Sequence, residues 1–541
     1  MSNWKEIAKI SLDIRDKSIP KQWLLEPSQL PGTEKVTVLG VPAESGALTP
    51  EEIKITESDV SELLEAYKSS KWTVRQVVTA FLKKAVIINQ LTNFVTEFMA
   101  DDALKRADEL DAHFKSTGKL AGPLHGIPTS VKEHVGLANR ITNAGFVSFN
   151  QLPPPTQDAY LVQLLKQAGA VFHVRTNQPQ SLMHLDCENN ITGRTLNPHH
   201  LLLSPGGSSG GEGVSVGSQC SVLGIGTDIG GSIRIPAAFN NCYGLRPTAL
   251  RVPTMGLVGL IPGQESIRGV AGPLAQSVEG LQAWMRTVLE QEPWEYETSV
   301  MPVPWRSDIK LGGFTVGVMW DDGVVKPHPP VLRALRTAAE KLKAAGVRVV
   351  DWEPYDHQRG WDIMAPLYFA DGGERYVKEF AKTGEPALPL TLHAFDFAKK
   401  SGKVPLDVYA NWALNTEREA YRREHHALMK ERGVDFILGP AYVGAGVLQG
   451  GAKYWNYTGI WNILDLPSAV LPSGLACDKA VDVKDAGYKP LNEKDEEEWK
   501  AYDPELFHGF PIALQLAGKR YRDEEVLAAT KILDSALKGV N

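Results

Sequence analysis

Glycine limits this chain's fold more than any other feature. Ten of the 33 residues from Ser204 to Pro236 are glycine, and they frame two Gly-Gly-Ser elements, Gly206-Gly207-Ser208 and Gly230-Gly231-Ser232, 24 residues apart. So dense a run cannot form a long helix or strand, because each glycine loses more backbone entropy than any other residue and packs no side chain. It suits turns in which backbone approaches another group closely or takes positive φ. Turns of this kind need a rigid frame, which the flanking sequence supplies.

From about residue 90, strand and helix patterns alternate. Phe94 to Phe98 reads as a strand and Asp101 to Phe114 as a helix with one charged face. Tyr160 to Gln167 reads as a helix stopped by Gly169 and followed by the strand Val171 to Val174. The same grammar returns with strand Phe314 to Trp320, helix Val331 to Ala345, Gly346 as a stop and strand Val347 to Val350. Repeated β-α-β units predict an α/β fold, a large mixed sheet covered on both faces by helices.

Ahead of this body, a helical stretch from Trp4 to Asp16 leads into chain punctuated by Pro20, Pro27, Pro31, Pro42 and Pro50. Thr56 or Ser58 can cap a helix bearing Val60, Leu63, Leu64 and Tyr67. Thr73 and Gln76 form a capping box for the next helix. Residues 1–72 are therefore expected to wrap the body as a helical and extended segment, with 73–535 as the catalytic domain. Residues 290–310 and 478–503 read as surface connections, and the acidic run Glu493 to Glu498 as a solvated face.

Composition narrows the function. Apolar residues at 43% and charged residues at 22% exclude a disordered chain, and a net charge of −7 argues against a nucleic-acid partner. Cys187, Cys220, Cys242 and Cys477 are too sparse and too widely spaced for a disulfide framework or a metal knuckle, so packed thiols in a cytoplasmic protein are expected. The first residues, Met1 to Glu6, have no apolar core for a secretory signal, and no stretch is long enough to span a membrane. No H-E-x-x-H occurs, and the pairs His199-His200 and His425-His426 are adjacent, so no metal site is expected.

Four readings compete for the glycine-serine segment. A phosphate loop fails, because no G-x4-G-K-[ST] occurs and Ile229 stands where G-x-G-x-x-G needs its third glycine. An α/β-hydrolase elbow fits Gly206 to Gly210 as G-x-S-x-G, with Ser208 as nucleophile and His508 as a possible partner, but Pro205 spoils the strand that should precede it. Plain structural turns are the third reading. The fourth is a catalytic serine whose neighbouring N–H groups form an oxyanion hole.

Here the residues match a family. Gly206 to Gly213 (Gly-Gly-Ser-Ser-Gly-Gly-Glu-Gly), followed by Gly224 to Pro236 (Gly-Ile-Gly-Thr-Asp-Ile-Gly-Gly-Ser-Ile-Arg-Ile-Pro), resembles the core of the amidase signature family. Gly122 to Glu133 resembles its lysine segment, Asp158 to Asn177 its next β-α-β unit, Tyr243 to Thr248 the stretch after the nucleophile, and Gly509 to Gly518 the closing strand. The resemblance runs from about 73 to 535 and is nearest to fungal acetamidase-type members.

The resemblance implies the amidase signature fold and a Ser–Ser–Lys triad. Ser232 corresponds to the nucleophile, Ser208 to the bridging serine and Lys132 to the base, with a cis bond at Gly207–Ser208. The backbone of Ile229, Gly230, Gly231 and Ser232 would form the oxyanion hole. Asp228, Arg234, Ser209 and Gly207 would support it, and Leu182 and Met183 would line the acyl pocket. The implied substrate is a small-molecule amide, with carbamates such as urethane and short esters as additions and no cofactor. Relatives suggest a homodimer. A fatty-amide hydrolase, the amidase subunit of a tRNA-dependent amidotransferase and an inactive binding scaffold remain as alternatives. Elementary chemistry agrees with the triad. A serine hydroxyl needs an adjacent base, and a lysine serves as one only if burial lowers its pKa by several units.

Overall fold

The computed structural model describes residues 3–32 and 36–539; Met1 and Ser2, where the signal-free N-terminus was read, lie outside them. Eleven strands build one sheet: β1 (Val95–Phe98), β2 (Pro128–Lys132), β3 (Val171–Thr176), β6 (Leu223–Asp228), β7 (Tyr243–Arg246), β8 (Val270–Ala275), β9 (Thr315–Val318), β10 (Arg348–Asp351), β11 (Phe436–Pro440), β12 (Ser468–Ala476) and β13 (Pro511–Gly518). The short strands β4 (Glu188–Asn189) and β5 (Gly193–Arg194) form a separate ribbon. The sheet order is β1-β3-β2-β6-β8-β7-β12-β13-β11-β9-β10. Pairing is parallel across β3-β2-β6 and β11-β9-β10 and antiparallel elsewhere, so the sheet is mixed, as expected.

Most strand residues are fully buried, and β8 and β11 accordingly read as near-continuous apolar runs. The main core includes Phe81, Val131, Ile225, Trp284 and Leu514. A second core, containing Met183, Ile233, Tyr368, Trp455 and Trp461, packs around the glycine-serine segment.

Local signals set some helix starts and not others. The helix Val74–Thr92 starts at the Thr73/Gln76 capping box, and the helix Tyr160–Gln167 has the bounds its pattern suggested. The helix Val60–Lys68 is capped by Asp59, however, and not by Thr56 or Ser58. Those two hydroxyls instead close the preceding helix Pro50–Glu57, Thr56 donating to the Ile53 carbonyl and Ser58 to the Lys54 carbonyl. In the proline-punctuated stretch, Pro42 and Pro50 sit in the first turns of helices Val41–Glu44 and Pro50–Glu57, where proline's missing N–H costs nothing. The N-terminal helix Trp4–Ser18 lays Ala8 against Val147 and Ile191, and Leu25, Val38, Val41 and Leu48 pack on Ile87.

The acidic run is less solvated than its composition suggests. Within helix Glu493–Ala501, Asp495 is buried and accepts from Lys326 N–H, the Tyr488 hydroxyl and Leu491 N–H. All four cysteines are buried free thiols. No described helix is long and apolar enough to cross a membrane.

Candidate active site

Lys132 is the last residue of β2. The parallel register of β2 on β6 (Thr129 opposite Leu223, Val131 opposite Ile225) carries it to the level of Gly226, next to Thr227 near the end of β6. The side chain is fully buried. Its Nζ stands 2.7 Å from Ser208 Oγ and donates to Thr227 Oγ1 at 3.1 Å. Burial drives the amine's pKa down from 10.5 to about 7, against smaller upward pulls from Cys187, Asp228 and Glu212. An amine in that range is a usable proton acceptor near neutral pH.

Ser208 lies in the turn just ahead of helix Gly210–Gly217, and the Gly207–Ser208 peptide is cis. Among the described residues no strand leads directly into it, so the elbow reading lacks its frame. Its side-chain partner is Lys132, whereas His508 is exposed and its Nδ1 accepts from Lys479 N–H. Gly207 has no room for a side chain, because a Cβ would sit 2.1 Å from the Asp186 carbonyl oxygen.

Ser232 follows β6 by four residues and is 4% exposed. Ser209 N–H donates to its carbonyl at 3.1 Å, which pins the two serine turns together. Ser209 Oγ also accepts from Thr227 N–H at 3.2 Å.

The loop from Asp228 to Arg234 is fixed by a fully buried ion pair. Arg234 Nε and Nη2 each donate to the Asp228 carboxylate at 3.0 Å. That carboxylate also accepts from Gly231 N–H, Ile233 N–H and the Asn462 amide, and Arg234 with these donors holds its pKa well below the usual carboxylate range despite burial. Arg234 further donates to the Thr458 carbonyl, Asn462 Oδ1 and Gln515 Oε1.

Two hydroxyls orient the loop's peptides. Tyr368 donates to the Ile229 carbonyl at 2.7 Å and Thr458 to the Gly230 carbonyl at 2.6 Å. In a trans peptide the next N–H points the opposite way from the carbonyl. The Ile229 bond therefore turns Gly230 N–H away from Tyr368, and the Gly230 bond turns Gly231 N–H toward Asp228. Among the described residues, the N–H groups of Ile229, Gly230 and Ser232 meet no protein acceptor, whereas that of Gly231 is taken by Asp228. Gly231 is glycine for two reasons: φ is +131°, and a Cβ would lie 2.3 Å from Thr458 Oγ1.

Met183 is buried, and Leu182 and Ile229 pack at the edge of the same core. Ser181 and Leu182 both take positive φ, at 65° and 62°, which is unusual for a residue with a bulky side chain. Sequence reasoning did not single out His134, Thr227, Tyr368, Trp455, Thr458, Asn462 or Gln515. Thr227 and Gln515 fell inside quoted motifs, but nothing in their spacing indicated their partners.

Comparison with known proteins follows the same lines. The amidase family profile matches residues 76–527. A Schizosaccharomyces pombe protein that carries an amidase name is 44% identical over 538 residues, with 99% of each chain covered. An acetamidase of Emericella nidulans is 38% identical over 553 residues, again covering 99% of each. Among solved structures, one titled fatty acid amide hydrolase is 39% identical, with a TM-score of 0.94, covering 98% of this chain and 94% of that one.

Proposed function

The chain belongs to the amidase family and is an amide-hydrolysing enzyme; on that premise we propose that it cleaves small amides through an acyl-enzyme on Ser232. The reading rests on the 2.7 Å contact between the buried Lys132 amine and Ser208 Oγ, with the Ser208-Ser209 turn bonded to Ser232.

Ser232 Oγ attacks the amide carbonyl carbon. Its proton passes to Ser208 Oγ while the proton of Ser208 moves to Lys132 Nζ. The carbonyl oxygen becomes an oxyanion facing the N–H groups of Ile229, Gly230 and Ser232. One donor of this kind is worth about 3–4 kcal/mol. The Gly231 N–H, already committed to Asp228, keeps the loop in shape instead. The proton then returns from Lys132 through Ser208 to the leaving nitrogen, the carbon–nitrogen bond breaks and the amine departs. Water attacks the acyl ester, gives its proton along the same path, and releases the acid and Ser232. The steps call for no cofactor.

Short acyl amides are the leading substrates, supported by the acetamidase relative along the whole chain. Leu182, Met183 and Ile229 would form the apolar wall beside the acyl group. Carbamates and short esters present the same carbonyl and would be turned over too. A longer acyl chain is the second reading, favoured by the structure titled fatty acid amide hydrolase.

Labelling with a fluorophosphonate, followed by intact mass and peptide mapping, tests the chemistry. One adduct on Ser232, lost in Ser232→Ala and slowed in Lys132→Ala, is expected. An adduct on Ser208, or none, overturns the assignment. Hydrolysis rates across primary amides, from acetamide to a long-chain amide, then decide between the two substrate readings.

A further inference from the structure

Lys132 has a second polar neighbour that the proposed reaction does not use. Thr227 Oγ1 lies 3.1 Å from Lys132 Nζ and 2.9 Å from His134 Nε2, and His134 Nδ1 lies 2.9 Å from the Val258 carbonyl. We infer that His134 and Thr227 are positioning residues that fix the direction in which the proton chain at Lys132 runs. The inference rests on the triad proposed above.

Hydrogen inventory carries the argument. A carbonyl oxygen only accepts, so His134 Nδ1 must hold a hydrogen. The imidazole is buried, 6% exposed, beside the lysine, and burial pushes its pKa down to about 3. It therefore has one N–H, which is spent on Val258, and Nε2 is a bare acceptor. The 2.9 Å contact to Thr227 can then only be the threonine hydroxyl donating to Nε2. With its single hydrogen committed, Thr227 Oγ1 offers lone pairs alone, and the 3.1 Å contact must be a lysine N–H donating to it. That bond excludes the rotamer in which the neutral amine's lone pair faces Thr227 and so keeps it available to the Ser208 hydroxyl, 2.7 Å away.

Without the imidazole, the Thr227 hydroxyl is free to turn and donate into the same lone pair. It would then compete with Ser208 and mask the base. The ring is well placed to prevent this. His134 N–H donates to Gln178 Oε1 and its carbonyl accepts from Val258 N–H, so main chain and side chain are both tied to neighbouring segments. The other ionisable groups facing Lys132 are Cys187, Asp228 and Glu212; Asp228 is bonded to Arg234, and Glu212 accepts from Ser130 and Thr176.

The test is a suppressor experiment on the full chain, read as the fluorophosphonate labelling rate of Ser232 and as ammonia release from acetamide. His134→Phe keeps the ring volume and frees the Thr227 hydroxyl. It is expected to slow both rates roughly 10- to 100-fold, part of the 10²–10⁴ that a positioned base supplies. Adding Thr227→Val removes the competing hydroxyl, so H134F/T227V is expected to be at least fivefold faster than H134F. Thr227→Ser, which keeps the hydroxyl, should stay near the parent rate. His134→Asn leaves an amide able to reach Val258 and nothing at the Nε2 position; it carries the same test if H134F melts early by circular dichroism. An unslowed H134F, or a double variant less than fivefold faster than H134F, overturns the inference. Controls with Lys132→Ala and Ser232→Ala separate the failures: if labelling survives them unchanged, the triad itself is wrong. If they behave as expected and suppression fails, only the positioning role is wrong.

Discussion

Replacing Lys132 with methionine should make the protein more stable while it destroys the chemistry. The lysine is fully buried and its pKa falls to about 7, whereas an unfolded chain keeps the amine charged up to about pH 10.4. At 1.36 kcal/mol per pH unit, that gap opposes folding by about 5 kcal/mol at pH 7 and below. Methionine has no charge to shed, but it forfeits the bonds to Ser208 and Thr227, about 1–2 kcal/mol together. The net gain is about 3 kcal/mol near pH 7. With an unfolding entropy of about 2.1 cal/mol/K per residue, a chain this long rises in Tm by about 3 °C. Between pH 7 and about 10.4 the unfolded state binds more protons than the native state, so this group's contribution to stability grows as pH rises. The advantage of Lys132→Met must therefore shrink over that window and turn into a small loss near pH 10. Paired melts of parent and variant at both pH values measure the difference, and alkaline effects common to the two cancel. The Ser232 labelling rate of the parent should climb with pH and level off above about 7. A variant that melts lower at pH 7, a Tm difference indifferent to pH, or a labelling profile still rising at pH 9 would refute the idea of a lysine held neutral.

Two further outcomes follow from the loop after β6. Asp228→Asn strands Arg234 as a buried, uncompensated charge, and breaking such a pair costs about 3–5 kcal/mol, measurable as a lower urea midpoint. It also weakens the anchors of Gly231 and Ile233 N–H, so labelling of Ser232 should slow at least tenfold, and Asp228→Asn/Arg234→Met should regain part of the stability without the rate. Gly231→Ala places a Cβ 2.3 Å from Thr458 Oγ1 at a φ of +131°; overpacking and backbone strain together cost about 2–5 kcal/mol, and labelling should be lost even in protein that melts cooperatively.

The parts of this molecule that were legible in its sequence are those whose information is local. Thr73 and Gln76 announce a helix start because both halves of the capping box lie within four residues. The Gly-Ser elements and the lysine segment stand out because they resemble amidase signature motifs residue by residue, where spacing alone left four readings open. Asp59 was missed because it sits beside Thr56 and Ser58, and all three side chains are competent caps; the preceding helix's use of the two hydroxyls decided the matter. Asp228 and Arg234, expected to support the site, do so as a buried pair, but the outer ring of that pair is not a sequence property. Thr458, Asn462 and Gln515 come from more than 200 residues downstream; β13 brings Gln515 near, and the helix Asn456–Leu464 brings the other two. Four converging amide donors were expected around Ser232. Gly231 N–H turns away to Asp228, because the Thr458 hydroxyl holds the preceding carbonyl.

The reach of Arg234 to Gln515 also bears on when this enzyme comes alive. During synthesis Lys132, Ser208 and Ser232 are all made while Asn462 and Gln515 are still to be translated. At roughly 5–20 residues per second, Gln515 emerges some 15 to 60 seconds after Arg234. Until then β13 is missing from the middle of the sheet, between β12 and β11, and the guanidinium lacks its last partners. A ribosome-bound chain thus holds the proposed triad residues without the last of the scaffold around Arg234. On the proposed mechanism, Ser232 would be aimed only after Gln515 has joined the sheet beside Arg234.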